Sequence, residues 1–125
     1  MDAAQALADL TEISSQIEAA VLFQEGGAVE ASTLADESAT AALVGAAARL
    51  LDQAAAHGEV TQLEASVQDG SVFVVTDGPR RIAAVTGLTP TVGLVFYDLK
   101  SCLRGAAEDP PKRRRAPRKK ADDAS

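Results

Sequence analysis

The pattern of apolar residues along this 125-residue chain predicts an α+β fold, with an antiparallel five-stranded sheet flanked by helices. Two observations carry this prediction. The predicted elements follow the order α-β-β-α-β-β-β-α, and short glycine-containing turns separate the strands within each group. Strands joined by such turns pair antiparallel, because a parallel pair needs a long crossover connection. The length suits one domain, which can bury a core without disulfides or a structural metal.

The first part of the chain predicts one helix followed by a hairpin. Apolar residues at three- and four-residue spacing favour an amphipathic helix from Asp2 to about Gln16. Its core stripe comprises Leu7, Leu10, Ile13 and Ile17. Residues 19–24 and 28–33 are short apolar stretches on either side of a turn that contains Gly26-Gly27. This arrangement favours strand, glycine turn and strand.

A second, longer helix is predicted in an alanine-rich segment. Residues 39–56 contain nine alanines, follow the cap-forming acidic segment 36–38, and end at His57-Gly58. The residues expected to face the sheet are Leu43, Ala47, Leu50, Leu51 and Ala54. A second stripe, of small residues, comprises Ala41, Gly45 and Ala48. Small side chains suit close helix packing across a symmetry axis, although alanine is also the strongest helix former.

Three strands are predicted in the next part of the chain. In residues 60–67, Leu63, Ala65 and Val67 alternate with Gln62, Glu64 and Ser66, as in a half-buried strand. Asp69-Gly70 is expected to supply the positive φ of a tight turn. Residues 71–76 are apolar on both faces, which is typical of a central strand, and residues 80–86 form the fifth strand.

A third helix is predicted from Thr89-Pro90 to Gly105. Residues 92–97 include β-branched and aromatic residues, so propensity alone also supports a strand there. A five-residue apolar stripe at helical spacing decides for the helix: Val92, Val95, Phe96, Leu99 and Leu103. Cys102 lies beside this stripe and is interpreted as a small buried hydrophobe rather than a nucleophile.

The charges divide the chain into an acidic body and a basic tail. Residues 1–104 hold five basic and fourteen acidic residues, whereas residues 105–125 hold seven basic and four acidic ones. The tail has three prolines and no apolar periodicity, so residues 105–125 are expected to be disordered and residues 1–104 to form the domain. The tail residues expected to contact an anionic partner are Lys112, Arg113, Arg114, Arg115, Arg118, Lys119 and Lys120.

No constellation of catalytic or cofactor-binding residues is visible, and we expect neither enzymatic activity nor a cofactor. One histidine, His57, and one cysteine cannot form a four-ligand zinc site, and Gly26-Gly27 lacks the lysine and hydroxyl residue of a phosphate loop. The acidic residues expected on a solvated face are Asp9, Glu12 and Glu18. No apolar run spans a membrane and the N-terminus lacks a basic signal region, so a cytoplasmic location is expected.

Residues 3–104 resemble the roadblock/dynein light chain domain family, in particular its small bacterial single-domain members. The resemblance rests on the stretch ALADLTEISSQIEAAVLFQEGGAVEAS, the alanine-rich second helix, and the stretch VTQLEASVQDGSVFVVTDGPRRIAAVTG. It implies a roadblock-like (profilin-like) fold and a homodimer or heterodimer. In such a dimer the third strands pair edge to edge and the second helices pack antiparallel. It also implies a partner or regulator of small Ras-like GTPases, since some members stimulate hydrolysis and others act as scaffolds.

These observations lead to the expectation of a non-enzymatic, homodimeric adaptor or regulator that binds a small Ras-like GTPase. The residues expected at the dimer interface are Ala41, Gly45, Ala48, Asp52, Gln62, Glu64 and Ser66. Two alternatives stay open. The dimer could be a scaffold whose basic tail binds an acidic protein, a lipid surface or nucleic acid. It could instead activate GTP hydrolysis directly. No arginine finger, an arginine inserted into the active site of the GTPase, is assigned among the body arginines Arg49, Arg80, Arg81 and Arg104.

Overall fold

The computed structural model describes residues 2–107, which form a five-stranded sheet between helices. The elements in chain order are α1 (Ala3–Ile13), β1 (Ile17–Gln24), β2 (Val29–Ser32), α2 (Glu37–Ala54), β3 (Gln62–Val67), β4 (Gly70–Asp77), β5 (Arg80–Thr86) and α3 (Val92–Ala107). A 3₁₀ turn, Ala55–His57, follows α2. The predicted α+β class and element order are therefore confirmed.

The sheet is antiparallel throughout and its strands lie in the order β2-β1-β5-β4-β3. Two hairpin groups, β1-β2 and β3-β4-β5, join where β1 pairs with β5. Small side chains dominate this central seam, where Ala20 lies opposite Ala84 and Val21 opposite Ala83, all without solvent exposure. Strand order leaves β2 and β3 at opposite edges of the sheet.

Helices cover both faces of the sheet. On one face α1 and α3 pack over a core that includes Leu22, Phe73, Ile82 and Leu99. Phe73 meets Phe96 of α3 edge to face, with ring centroids 5.0 Å apart. On the other face α2 packs over a smaller core, formed by Val21, Phe23, Leu43, Val44, Ala47, Val72, Val74 and Ala83. The sheet is therefore the middle of three layers.

Side-chain caps begin the first two helices. An oxygen of Asp2 accepts a hydrogen bond from the amide of Gln5 at 2.8 Å, and one of Asp36 accepts from the amide of Ser38 at 3.0 Å. Such bonds satisfy amides that the first helical turn leaves without partners. The cap expected for the second helix is thus present, and its acidic side chain also complements the helix dipole.

The first helix is shorter than the sequence predicts. It ends at Ile13, which is 73% exposed, and Ile17 is instead a buried residue of β1. Glu18, expected on the helix's solvated face, is an exposed residue of the same strand. At Ser14 the backbone becomes extended, although the amide of this residue still donates a hydrogen bond to the Leu10 carbonyl oxygen. The prediction was wrong here because helix and strand both allow an apolar residue four positions after Ile13.

The other boundaries differ by a few residues. Helix α3 begins at Val92 rather than at Thr89-Pro90, and it continues to Ala107 beyond the expected end at Gly105. Val67, expected on the covered face of its strand, is 50% exposed because it lies at the end of an edge strand. These differences leave the order and pairing of the elements unchanged.

Gly70 is required for space rather than for a positive φ, which is a correction to the sequence interpretation. Positive φ values occur at Gly27, Gly58 and Gly78 among the described glycines. A Cβ at Gly70 would lie 1.9 Å from the carbonyl oxygen of Thr86. That oxygen belongs to the neighbouring strand, so it cannot move without disturbing the ladder between β4 and β5.

Replacing Gly70 with alanine is therefore expected to destabilise the protein by about 1–3 kcal/mol or more, as overpacking does. The measurement is the free energy of unfolding from urea titration. Gly26→Ala is the matched control, since a Cβ at Gly26 meets nothing within 4 Å, and its effect should stay within about 0.5 kcal/mol. Equal stability of the two variants would contradict the steric explanation.

Candidate functional site

The edge strand β3 carries an unpaired backbone edge. Among residues 2–107 it pairs with β4 alone, and the amide of Thr76 donates to the carbonyl oxygen of Thr61 at 2.9 Å. Hydrogen-bonded and non-hydrogen-bonded pairs alternate along an antiparallel ladder, so this bond fixes the phase of the whole ladder. The residues whose N–H and C=O groups point away from β4 are Gln62, Glu64 and Ser66. An unpaired edge of this kind is a template for another strand.

One face of β3 is apolar and only partly covered. Leu63 and Ala65 are half-buried, and they pair with Val74 and Val72 of the core beneath α2. Helix α2 packs mainly over β1 and β5, so β3 extends beyond the cover that α2 gives to this face of the sheet. The strand therefore combines free hydrogen-bonding groups with apolar surface that a second molecule could bury.

The small-residue stripe of α2 faces the opposite edge of the sheet. Ala41, Gly45 and Ala48 line an open groove of about 620 Å³, whose other wall includes Val29 of β2 and Leu34. Ala48 and Asp52 also border a depression at the β1–β2 turn, with Phe23, Gly26 and Arg81. This flank of α2 is therefore turned toward β2.

The seven residues expected at the dimer interface consequently fall into two groups. Ala41, Gly45, Ala48 and Asp52 lie on the β2 side of α2, and Gln62, Glu64 and Ser66 lie on β3 at the far edge of the sheet. A twofold interface uses one continuous patch on each subunit. The structure does not bring the two groups together into such a patch.

From the sequence, Leu43 and Leu50 of α2 are expected against the sheet, but the flank of α2 that faces β4 and β3 is left out of the expected dimer interface. With 3.6 residues per turn, the positions opposite Ala41 and Ala48 include Ala39, Leu43, Ala46 and Leu50. Leu43 is buried in the core that also contains Val72 and Val74, while Ala46 and Leu50 are half-buried. Their spacing of four, three and four residues is the sequence signal that indicates this flank. The flank lies next to the uncovered face of β3.

Hydrogen bonds across the strands hold the edges in place. A carboxylate oxygen of Glu64 accepts a hydrogen bond from the hydroxyl of the buried Ser71 at 2.9 Å. At the other edge, the Nε atom of Arg80 lies 3.1 Å from Oε1 of Glu30, which also accepts a hydrogen bond from Gln24 through its Oε2 atom. The Ser71–Glu64 and Gln24–Glu30 bonds join neighbouring strands and each adds modest stability, while the Arg80–Glu30 ion pair reaches across β1 from β5 to β2.

The candidate catalytic groups are dispersed. His57 is exposed at the end of the 3₁₀ turn, whereas Cys102 of α3 is buried in the core that α3 forms with α1 and the sheet, as its place beside the apolar stripe predicts. Burial raises the pKa of the Cys102 thiol to about 12, and the nearby Asp9 carboxylate adds to this rise. The thiol is therefore protonated at neutral pH, a state in which cysteine is a poor nucleophile.

The body arginines occupy different environments. Arg80 pairs with Glu30, Arg81 donates to the carbonyl oxygen of Gly78 at 2.7 Å, and Arg104 donates to the hydroxyl of Ser101 at 3.3 Å. Arg49 is exposed on α2. The basic residues expected to contact an anionic partner, from Lys112 to Lys120, lie outside the described residues. Among residues 2–107, no helix has the length and apolar character needed to cross a membrane.

Comparison with solved structures identifies the fold. No protein-family model and no curated protein matches the chain. A roadblock/LC7 domain from Streptomyces avermitilis is similar in structure, with a TM-score of 0.75 at 17% identity over 86% of this chain and 96% of that one. The gliding protein MglB of Thermus thermophilus matches with a TM-score of 0.64 at 18% identity, over 84% of this chain and 85% of that one.

A further MglB structure, described as having a tetrameric arrangement, matches with a TM-score of 0.61 at 19% identity, over 82% of this chain and 85% of that one. These likenesses extend over most of each chain. The protein therefore has the roadblock/LC7 fold, and the fold that the sequence resemblance implied is confirmed.

Proposed function

We propose that the protein is a homodimeric, non-enzymatic adaptor or regulator that binds a small Ras-like GTPase in the cytoplasm. The observation that carries the proposal is the free edge of β3, which adjoins an uncovered apolar face. In this proposal the two subunits form one structural unit, and the surface of that dimer binds the GTPase. No side chain of this protein is assigned a catalytic role.

The dimer forms by antiparallel pairing of β3 with its copy across a twofold axis. The pairing satisfies the outward N–H and C=O groups of Gln62, Glu64 and Ser66 and extends each five-stranded sheet into one sheet of two subunits. It also places the uncovered strip formed by Leu63 and Ala65 beside the partner subunit. The β3-facing flank of α2, with Ala46 and Leu50, then packs against the same flank of the partner subunit, where small side chains allow close approach.

The GTPase partner follows from the family resemblance together with the fold. The family resemblance implies that this protein is a partner of a Ras-like GTPase. The solved structures of similar fold include the gliding protein MglB. Such a protein acts through surfaces, because it can position the catalytic groups of the GTPase itself without donating any. This agrees with a body whose cysteine is buried and whose histidine lies alone at a helix end.

Affinity capture of the full-length protein from lysate of its own organism tests the GTPase proposal. The capture is run once with a GTP analogue and once with GDP. We expect a small Ras-like GTPase to be retained in one of these two nucleotide states, and mass spectrometry identifies it. A single-turnover hydrolysis assay with the purified GTPase then separates activation from scaffolding. Absence of any small GTPase in both nucleotide states would contradict the partner assignment while leaving the dimer to be tested by itself.

A further inference from the structure

A groove of about 330 Å³ runs between α1 and α3, on the face of the sheet opposite α2. We propose that the basic C-terminal segment of the same chain, Lys112 to Lys120, docks in this groove. The proposal is independent of the GTPase function and of the dimer, because the groove lies away from both α2 and the edge of β3.

One acidic residue of the groove lining is almost enclosed by the protein. Asp98 lines the groove and is only 8% exposed. Within residues 2–107 it accepts no hydrogen bond and has no basic side chain within 4.0 Å, since the one ion pair found there joins Arg80 to Glu30. Because protein surrounds Asp98 on most sides, solvent screens its attraction for a cation less than at an exposed carboxylate.

The surroundings of Asp98 favour a positively charged ligand. Asp9 of α1 also lines the groove, and α1 contains no basic residue. Arg104 of α3 donates to the hydroxyl of Ser101, a residue of the groove wall. With two carboxylates in the lining and one arginine beside the wall, the groove keeps an excess of negative charge, whose potential low-dielectric walls strengthen.

Exposed apolar surface in the groove suits the hydrocarbon stems of long cationic side chains. Ile13 and Tyr97, which are 73% and 64% exposed, both line the groove. Lysine and arginine bury their aliphatic stems on such surface while their charged ends reach a carboxylate, and arginine also stacks on aromatic rings. The groove therefore offers both an apolar and an anionic contact to each basic residue.

The basic segment begins where it can reach this groove. Gly105 lines the end of the groove from which the chain continues beyond Ala107. Asp98 lies seven residues before Gly105 on the helix, a distance of about 10 Å at 1.5 Å per residue. The five residues from Ala107 to Lys112 span up to about 17 Å when extended, so Lys112 and the three arginines that follow it come within reach of Asp98.

Tethering adds to charge complementarity. Residues 105–125 carry seven basic and four acidic residues, whereas the body is strongly acidic. A segment tied to the end of the groove has a high effective concentration, which a free peptide of the same sequence lacks. The chain's own tail is therefore the occupant that we assign to the groove.

Tyr97 provides the measurement, because the chain contains one tyrosine and no tryptophan. Acrylamide quenching of its fluorescence is followed in the full-length protein from about 0.01 M to 1 M NaCl, over which the Debye length falls from about 30 Å to about 3 Å. We expect quenching to increase with salt as the tail leaves the groove. Asp98→Asn, which keeps the size of the side chain, should lose this salt response.

Asp52→Asn is the matched control, since it removes one negative charge from an exposed position on the opposite face of the sheet and should keep the response. Replacing Lys112 to Arg115 with glutamines should abolish it. An unchanged response in the Asp98 or tail variant would overturn the proposal. A response that fades on dilution would also overturn it, in favour of the tail of a second copy.

Discussion

Replacing Glu64 with proline is expected to halve the solution mass of the protein while leaving each subunit folded. The amide of Glu64 points away from β4, so proline at this position removes a donor from the outer edge and none from the ladder within the subunit. The ring also obstructs the approach of a partner strand, and edge strands tolerate proline for this reason. Light scattering coupled to size-exclusion chromatography gives the mass, and circular dichroism the melting temperature.

Two further variants separate the backbone effect from side-chain effects. Glu64→Ala loses the hydrogen bond to Ser71 but keeps its amide, so it should remain dimeric. Ala65→Pro removes an amide that faces β4, and we expect it to lose about 1 kcal/mol or more of stability. A dimeric Glu64→Pro variant, or a monomeric Glu64→Ala variant, would exclude backbone pairing of β3 as the basis of the dimer.

The element order could be predicted because periodicity is a local property. Alternation in residues 62–67 and the helical spacing from Val92 to Leu103 each follow from a few neighbouring residues, and the structure has a strand and a helix there. At Ile17 the local pattern is ambiguous. A spacing of four fits both a helical stripe and the start of a strand, so the end of α1 depended on the backbone at Ser14.

The proposed interface could not be predicted from the sequence because it depends on strand order. A helical wheel of α2 shows two flanks, yet which flank faces β3 is decided by the pairing of β1 with β5 in the middle of the sheet. That pairing joins residues 56 to 69 positions apart, beyond any local pattern. The small residues Ala41, Gly45 and Ala48 predict close packing against another helix, but their stripe is turned toward β2.

The burial of Gly70 and Asp98 could not be predicted from the sequence for a similar reason. Asp69-Gly70 has the composition of a tight turn, whereas the glycine is needed because the Thr86 carbonyl oxygen of another strand approaches it. Asp98 interrupts an otherwise apolar helix face and is buried because α1 packs beside it. Both features arise from contacts that are distant in sequence, and local propensity carries no information about them.

A matched pair of charges on α2 tests the orientation of the dimer. Ala46→Glu places a carboxylate on the flank that faces β3, where the twofold axis also brings the same carboxylate of the partner close. An unpaired buried charge costs about 3–5 kcal/mol, so the dimer dissociation constant should rise at least about 100-fold. Sedimentation velocity across a dilution series measures this constant, and the melting temperature of the monomer shows that the subunit still folds.

Ala48→Glu makes the same chemical change two residues away, on the exposed flank that faces the groove beside β2. We expect its dimer dissociation constant to match that of the unmodified protein, because the flank with Ala41 and Gly45 stays outside the proposed interface. The two variants share a helix, a parent residue and a charge, so a difference between them reports only the side of α2 that meets the partner subunit. Dissociation by Ala48→Glu alone would place the partner's helix at β2 and reverse the proposed arrangement.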